Sequence, residues 1–352
     1  MKEAEMSVAP IEDKRGALEM LGAVGPLTYL FKEGRVGDSL DMISAVVSVD
    51  ACRLVLAIGG RVSRGLGVFF GIFLLAAGAL ISWGAYDSSK RYGADFAGVI
   101  FAAMLLGGGL LAFSFDFRRP AETLVMLDRR SGRIIAPDPS VNVARVKDLR
   151  FLTWVWADSD FAIERVVLGA TGAQTFRLRA VQRNAQGELE RSIVLLAMIP
   201  TMQHAEAAYE FLRRYMAHED AALPTSVKLV PGGKLNFFEA CKYSFITYLI
   251  DVGDDGLPQW PWPFIVLFYG LLAVALAMAF PFVLGKVLAE WSSQEMRFDP
   301  SLVPAAGQPI PGVKLIPARQ AVFAPWEKAY YLACMASGLG LWVWWWYRFL
   351  GS

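Results

Sequence analysis

Four stretches of the chain run uncharged for long enough to cross a bilayer, and between the second and the third the pattern changes to short alternating strands. Twenty-two uncharged residues lie between Arg64 and Asp87, and twenty between Asp95 and Asp116. Thirty more run from Gly256 to Gly285, and nineteen from Ala329 to Tyr347. A helix needs roughly 20 apolar residues, at about 1.5 Å rise each, to span the hydrocarbon core. None of the four shows the polar face that a soluble core helix of this length carries. The pattern therefore predicts transmembrane helices over 65–85, 96–115, 262–285 and 329–347, paired into two hairpins.

The segment between the hairpins has a different period. ETLVMLD (Glu122 to Asp128), a turn over Arg129 to Gly132, and RIIA (Arg133 to Ala136) read as a β-hairpin. Further strands are predicted over Phe151–Ala157, Phe161–Ala170, Thr175–Val181 and Arg191–Ala197. In the stretch from Thr175, Phe176, Leu178 and Ala180 alternate with Arg177 and Arg179, as a half-buried strand requires. After Pro200 the apolar spacing becomes helical. Ala205, Ala208, Tyr209, Leu212, Tyr215 and Met216 form one stripe, with Glu206, Glu210, Arg213 and Arg214 opposite. The predicted class is an α+β membrane protein, in which an antiparallel sheet closed by a C-terminal helix, a pleckstrin-homology-like (PH-like) domain over 116–256, lies between two membrane hairpins. Residues 1–64 form a separate N-terminal segment in this reading, and 286–328 a loop carrying Pro300, Pro304, Pro309, Pro311, Pro317 and Pro325.

Charge at the span ends sets the orientation. Arg53, Arg61, Arg64, Arg118, Arg119, Arg129, Arg130 and Arg133 flank the outer ends of the first hairpin, against Lys90 and Arg91 in its link. By the positive-inside rule both ends of that hairpin are cytoplasmic. The second hairpin inherits this orientation. Residues 116–256 are then cytoplasmic, the loop 286–328 is periplasmic, and both termini face the cytoplasm of a multi-pass inner-membrane protein. Trp260 and Trp262 at one end of the second hairpin, and Trp342, Trp344, Trp345, Trp346 and Tyr347 at the other, are expected at one interface. The first forty residues carry no cleavable signal peptide.

Composition narrows the chemistry. Apolar residues make up 55% of the chain and charged ones 19%, so the excess belongs to the four spans. The net charge of +1 supplies no basic field for nucleic acid. Within 116–256, 18 basic residues balance 18 acidic ones, which argues against a dedicated anionic-lipid site. No span holds an ionisable residue in its interior, as a carrier or proton pump would. Cys52, Cys241 and Cys334 are too far apart for a metal framework, and His204 and His218 stand at the ends of the predicted helix. No HExxH, GxSxG, P-loop or CxxC motif occurs, so neither catalysis nor a cofactor or metal is expected. Gly67 and Gly71 make a GxxxG that suits helix packing or a homo-oligomer. The long loop is either the element that recognises a partner or a covering packed on the spans; if it binds, the candidate contacts are Arg297, Phe298 with Asp299, Lys314 and Arg319.

The order of a membrane hairpin, RRP (Arg118 to Pro120), DRRSGRI (Asp128 to Ile134), FLTWVW (Phe151 to Trp156) and FLRRYMAHEDAALP (Phe211 to Pro224) resembles an uncharacterised bacterial inner-membrane protein family. Its members tend to be encoded beside type VI secretion effector and spike genes. The resemblance spans Gly65 to Pro224 and transfers no functional residue. It implies an immunity protein of a toxin–immunity pair, which binds a cognate effector without catalysis. The alternative it leaves is a membrane adaptor or chaperone that recruits an effector for secretion.

Overall fold

The computed structural model describes residues 27–30, 45–58, 65–92, 96–116, 120–138, 149–168, 173–183, 186, 189–230, 232–240, 261–316 and 325–351. In chain order the elements are β1 (Leu27–Leu30), β2 (Val46–Val49), β3 (Arg53–Ala57), α1 (Leu66–Tyr92), α2 (Phe96–Asp116), β4 (Leu124–Asp128), β5 (Arg133–Pro137), β6 (Phe151–Val155), β7 (Asp160–Leu168), β8 (Ala173–Arg183), β9 (Leu189–Ile199), α3 (Met202–Met216), β10 (Ser226–Lys228), α4 (Trp262–Met278), α5 (Phe280–Ser292), β11 (Lys314–Ile316) and α6 (Pro325–Gly351). The fold is α+β. Strands β2-β3-β4-β5-β6 form one antiparallel sheet and β1-β7-β8-β9 another.

A hairpin of two helices, each long and apolar enough to cross a membrane, is inserted between two paired strands. β3 and β4 lie side by side, from Arg53 opposite Asp128 to Ala57 opposite Leu124, and α1 and α2 fill the connection between them. Val46–Ala57, which the apolar pattern sets apart with residues 1–64, thus supplies two strands of the sheet. The β4–β5 hairpin pairs Met126 with Ile135, and Gly132 at φ +65° makes its turn. Asp128 fixes that turn by accepting hydrogen bonds from the Arg130 and Ser131 amides at 3.0 and 3.2 Å.

Both sheets share one core with α3. Leu54, Leu56, Val125, Leu127 and Ile134 from the first sheet meet Phe161, Ile163, Leu178 and Ile193 from the second, together with Tyr209, Leu212 and Tyr215. Each such side chain contributes about 1.5–3 kcal/mol on leaving water. Thr201 caps α3 by accepting the His204 amide, and His218, at φ +61°, lies just past its end. Glu210 departs from the predicted polar face. It is fully buried, because Arg213 and Arg214 fold over it at 2.9 and 2.6 Å. A carboxylate held by two guanidinium groups is stable out of water, whereas a lone one is not.

The Pro-rich loop corrects the predicted membrane topology. The Ala121 amide donates to the Gln294 carbonyl at 2.8 Å, the Ala51 amide to Gln308 at 2.8 Å, and the Lys314 amide to Thr225 at 2.8 Å. β11 pairs in parallel with β10, from Ser226 opposite Lys314 to Lys228 opposite Ile316. Met296, Phe298, Leu302 and Val303 cover the outer face of the five-stranded sheet over Val55, Leu124, Met126 and Ile135. This cover explains why LVMLD in β4 does not alternate, since both of its faces are buried. A loop hydrogen-bonded to the sheet at three places lies on the same side of a bilayer as the sheet. It is a strap over the sheet unit, and the placement of 286–328 in the periplasm opposite a cytoplasmic 116–256 does not hold.

The helices also differ from two plain hairpins. Two of them, over Gly67–Lys90 and Phe96–Ser114, are long and apolar enough to cross a membrane. The predicted span 262–285 is not one straight helix: α4 ends at Met278 and α5 leaves it at 79°. Pro281 is the cause, because it has no amide to donate back into α4 and its ring crowds the preceding turn. α4 and α6 run parallel: Tyr269 meets Tyr330 at 5.3 Å, and Gly338 comes so close to Ala277 that a Cβ there would lie 3.1 Å from the Ala277 carbonyl. Parallel helices put the Trp262 end of α4 and the Trp344–Tyr347 end of α6 at opposite ends of the pair. The expectation of a single shared aromatic interface is therefore overturned.

Candidate functional site

The membrane helices join the sheet unit through α5. Gly65 takes φ +88°, and a Cβ on it would sit 2.6 Å from the Lys286 Cα. A Cβ on Gly285 would sit 2.8 Å from the Gly65 carbonyl. Two glycines, one at the foot of α1 and one within α5, let the two backbones touch. Phe69 and Phe282 then meet edge to face at 6.0 Å. At its C-terminal end α5 runs into the strap, where Ser293 donates to the Glu290 carbonyl at 2.6 Å and Gln294 bridges to Pro120.

Lys286 at this junction is one of several buried charged side chains on and around the helices. Glu122, Lys286, Glu290 and Glu327 are each no more than 8% exposed. The Lys286 Nζ lies 5.4 Å from the centre of the Phe282 ring. Glu290 accepts the Leu235 amide at 3.4 Å, and Lys234 donates to the Trp291 carbonyl at 3.2 Å. Tyr269 donates to Glu327 at 3.5 Å. These contacts tie α5 to the segment after β10 and, separately, α4 to α6. Sequence reasoning missed the burial of Lys286 and Glu327 because they stand at the edges of uncharged runs, where they read as flanking surface residues. The glycines at 65 and 285 were the available signal.

Around these buried charges the helices are apolar on their outer faces. Phe70, Phe73, Phe101, Met104 and Leu111 on the hairpin are more than half exposed, as are Leu267 and Leu271 on α4 and Leu339, Val343 and Trp344 on α6. Within the hairpin the Gly67–Gly71 motif is partly used up: a Cβ on Gly71 would lie 2.8 Å from the Gly109 carbonyl, so this seam packs α1 on α2. The bend in α4–α5 is covered by α6. The Trp342 Nε1 donates to the Met278 carbonyl at 3.2 Å and supplies a donor where Pro281 interrupts the helix.

A second buried polar group lies in the four-stranded sheet. Arg179, 3% exposed, donates to Glu164, fully buried, at 2.7 Å and to Ser192 at 3.0 Å. Arg177 adds a longer contact to Glu164 at 3.7 Å. A third lies near the Asp50 turn. There Arg129 pairs with Asp220 at 2.6 Å and stacks on the Tyr215 ring at 4.8 Å, while Tyr215 donates to the Asp50 carbonyl at 2.9 Å. Burial pushes the Tyr215 phenol well above its ordinary value and the Tyr209 phenol up to about 12. Both groups hold strands and helix together.

The predicted partner contacts do not form one cluster. Arg297 is exposed and pairs with Glu295 at 3.7 Å. Phe298 packs on Phe151 at 5.3 Å. Asp299 accepts the Ser301 amide at 2.9 Å, and this bond and that from the Ser301 hydroxyl hold its carboxyl below the ordinary range. Lys314 lies on β11 beside β10, and Arg319 lies outside the described residues. Asp160 pairs with Arg183 at 2.9 Å. No protein-family model, curated protein or solved structure matches the chain.

Proposed function

We propose that the chain is a membrane-held recognition protein that works by stoichiometric binding, and that its partner is the toxin of a bacterial type VI effector pair, against which it is the immunity protein. The observation that supports membrane-held binding is the insertion of α1 and α2 between β3 and β4. A hairpin inserted in the connection of two paired strands tethers the sheet at two adjacent points, the end of β3 and the start of β4. We read the two sheets with α3 after the last strand as a PH-like layout, elaborated by that insertion and by the strap. The binding surface in this reading is the strap and the sheet it covers, with Arg297 and Lys314 as exposed charges on it. The toxin identity rests on the sequence resemblance.

The reading predicts that co-expression of this chain protects a sensitive cell from the toxin encoded beside it, and that chain and toxin co-purify from detergent-solubilised membranes. Equal killing with and without the chain contradicts it. Loss of toxin secretion on deleting the chain, with kin cells unharmed, would assign the adaptor role instead.

A further inference from the structure

We infer that α4 and α6 lie side by side across the membrane normal, sunk among the acyl chains of the leaflet next to the sheet unit, so that this apolar pair binds lipid of one leaflet and neither helix crosses to the other face. The inference rests on the membrane anchorage through α1 and α2 in the function above and not on the toxin.

The depth of the pair is read against α1. α5 runs antiparallel to the first turns of α1: Lys286 lies against Gly65, a Cβ on Gly285 would sit 3.0 Å from the Phe69 amide nitrogen, and the Phe282 ring meets the Phe69 ring. Ala279, where α4 breaks into α5, precedes Lys286 by seven residues. At about 1.5 Å per residue the break stands roughly 10 Å, two helical turns, beyond the foot of α1. The hydrocarbon core is about 30 Å thick, so the break falls in its near half.

From that depth the pair runs sideways. α4 lies at 79° to α5. Its 17 residues make a helix about 25 Å long, whose two ends at that angle differ in depth by only about 5 Å. α6 takes the same direction, since the Tyr269–Tyr330 and Ala277–Gly338 contacts keep one sequence offset along the pair. Gly338 packs on Ala277 and Phe280 at the break itself. The stretch from there to Gly351 is about 20 Å of helix and gains about 4 Å of depth at this inclination, against roughly 20 Å to the far surface of the core. The end of α6 stays in the leaflet where α4 and α6 pack together.

The surface chemistry points to acyl chains as what surrounds the pair. A helix resting on a membrane surface carries a polar face, whereas one immersed in an apolar medium does not. The seam between α4 and α6 buries Leu272, Leu276, Tyr331 and Met335. Away from it, Phe264, Leu267, Leu271 and Val274 on α4 are more than half exposed, as are Leu332, Leu339 and Val343 on α6. No charge interrupts α6 between Ala329 and Tyr347. Phe70 and Phe73, in the second and third turns of α1, are exposed to the same degree. The lipid-facing surface of the hairpin and that of the α4–α6 pair thus meet at one depth.

A depth profile tests this. In the full chain, with Cys52, Cys241 and Cys334 replaced by Ser, single cysteines at Leu332, Leu339 and Val343 on α6 and at Phe70, Ala79 and Tyr86 on α1 carry a nitroxide in lipid vesicles. Depth is read from collisions with oxygen against those with a water-soluble nickel chelate. On α1 the profile should peak at Ala79, as in a crossing helix. On α6 the three positions should all lie among the acyl chains and differ by no more than about 3 Å, the rise of that stretch at the observed inclination. A profile in which Leu339 is deeper than both Leu332 and Val343 by about 6 Å or more would mark α6 as a crossing helix and overturn the inference. Nitroxides on α6 that meet the nickel chelate freely would place the pair in water and overturn it too. A flat profile on α1 would instead refute the anchorage on which the inference rests. If the cysteine-free chain fails to reach the membrane, a reporter active only in the periplasm is fused to the native sequence after Gly351 and, separately, after Ser301. Equal signals are expected, and opposite signals overturn the inference.

Discussion

Gly65 and Lys286 touch through their backbones: a Cβ on Gly65 would lie 2.6 Å from the Lys286 Cα, and Gly65 sits at φ +88°. Two independent requirements meet at this position, a left-handed backbone and no side chain. Gly65→Ala violates both. It is expected to lower the unfolding temperature of the detergent-solubilised chain, with a cost of at least about 1 kcal/mol. Gly132→Ala, which also has φ above zero but open space around it, should cost less. Thermal unfolding of the two variants side by side checks the ranking.

Arg179 and Glu164 give a second prediction. Removing one member of a buried pair strands the other, and Arg179→Leu is expected to cost about 3–5 kcal/mol. Arg179→Leu combined with Glu164→Leu removes both charges and should recover part of that loss. Denaturant unfolding of the wild type, the single variant and the double variant measures the difference. A double variant no more stable than the single one would contradict the pairing.

Glu210 makes stability depend on pH. Burial raises its carboxyl, but hydrogen bonds from Arg213 and Arg214 outweigh this and hold it below its ordinary value of 4.5. A group with a lowered folded value contributes stability that is fully present above its unfolded value and is lost as pH falls through the folded one. Glu210→Gln should therefore destabilise the chain at neutral pH, and the gap to wild type should narrow as pH drops below 4.5. Unfolding temperatures measured across that range test the sign. A gap that stays constant or widens in acid would exclude it.

Trp342 carries a fourth. Its indole donates to the Met278 carbonyl at the α4–α5 break. Trp342→Phe keeps an aromatic ring but leaves that carbonyl without this donor, at a cost of about 1–3 kcal/mol in an apolar setting. The outwardly exposed Trp344 makes no such bond in the described structure, so Trp344→Phe should cost less. Thermal unfolding in the same detergent compares them.

Much of the sheet unit was legible in the residues. The β4–β5 hairpin, β6 to β9 and α3 fall where apolar spacing and turn residues put them, because local period and local structure agree there. β2 and β3 were not legible. Val46–Ala57 is separated from its partner β4 by the whole membrane hairpin, and no local period reveals pairing across an insertion. Apolar length foretold α1 and α2 but not the break at Ala279, since hydropathy is blind to the missing amide of Pro281. Proline density marked the strap as a loop. It did not reveal that Met296 and Phe298 cover the sheet, because a loop's partners are set by tertiary contacts. The candidate site was the least legible part: Lys286 is buried against the foot of α1, Glu290 against Leu235 and Glu327 against Tyr269, all partners distant in sequence.

The central claim is that the strap and the sheet form one unit on one side of the membrane. Cysteines at Pro120 and Gln294, which face each other across a parallel bridge, test it most directly by oxidation in native membranes, in a full chain otherwise free of cysteine. Arg133 and Val155, cross-strand partners in β5 and β6, serve as the positive control. The account predicts that both pairs form intramolecular disulfides, seen as a mobility shift that reductant removes. Cross-linking of the control pair alone would place the loop away from the sheet and contradict the account.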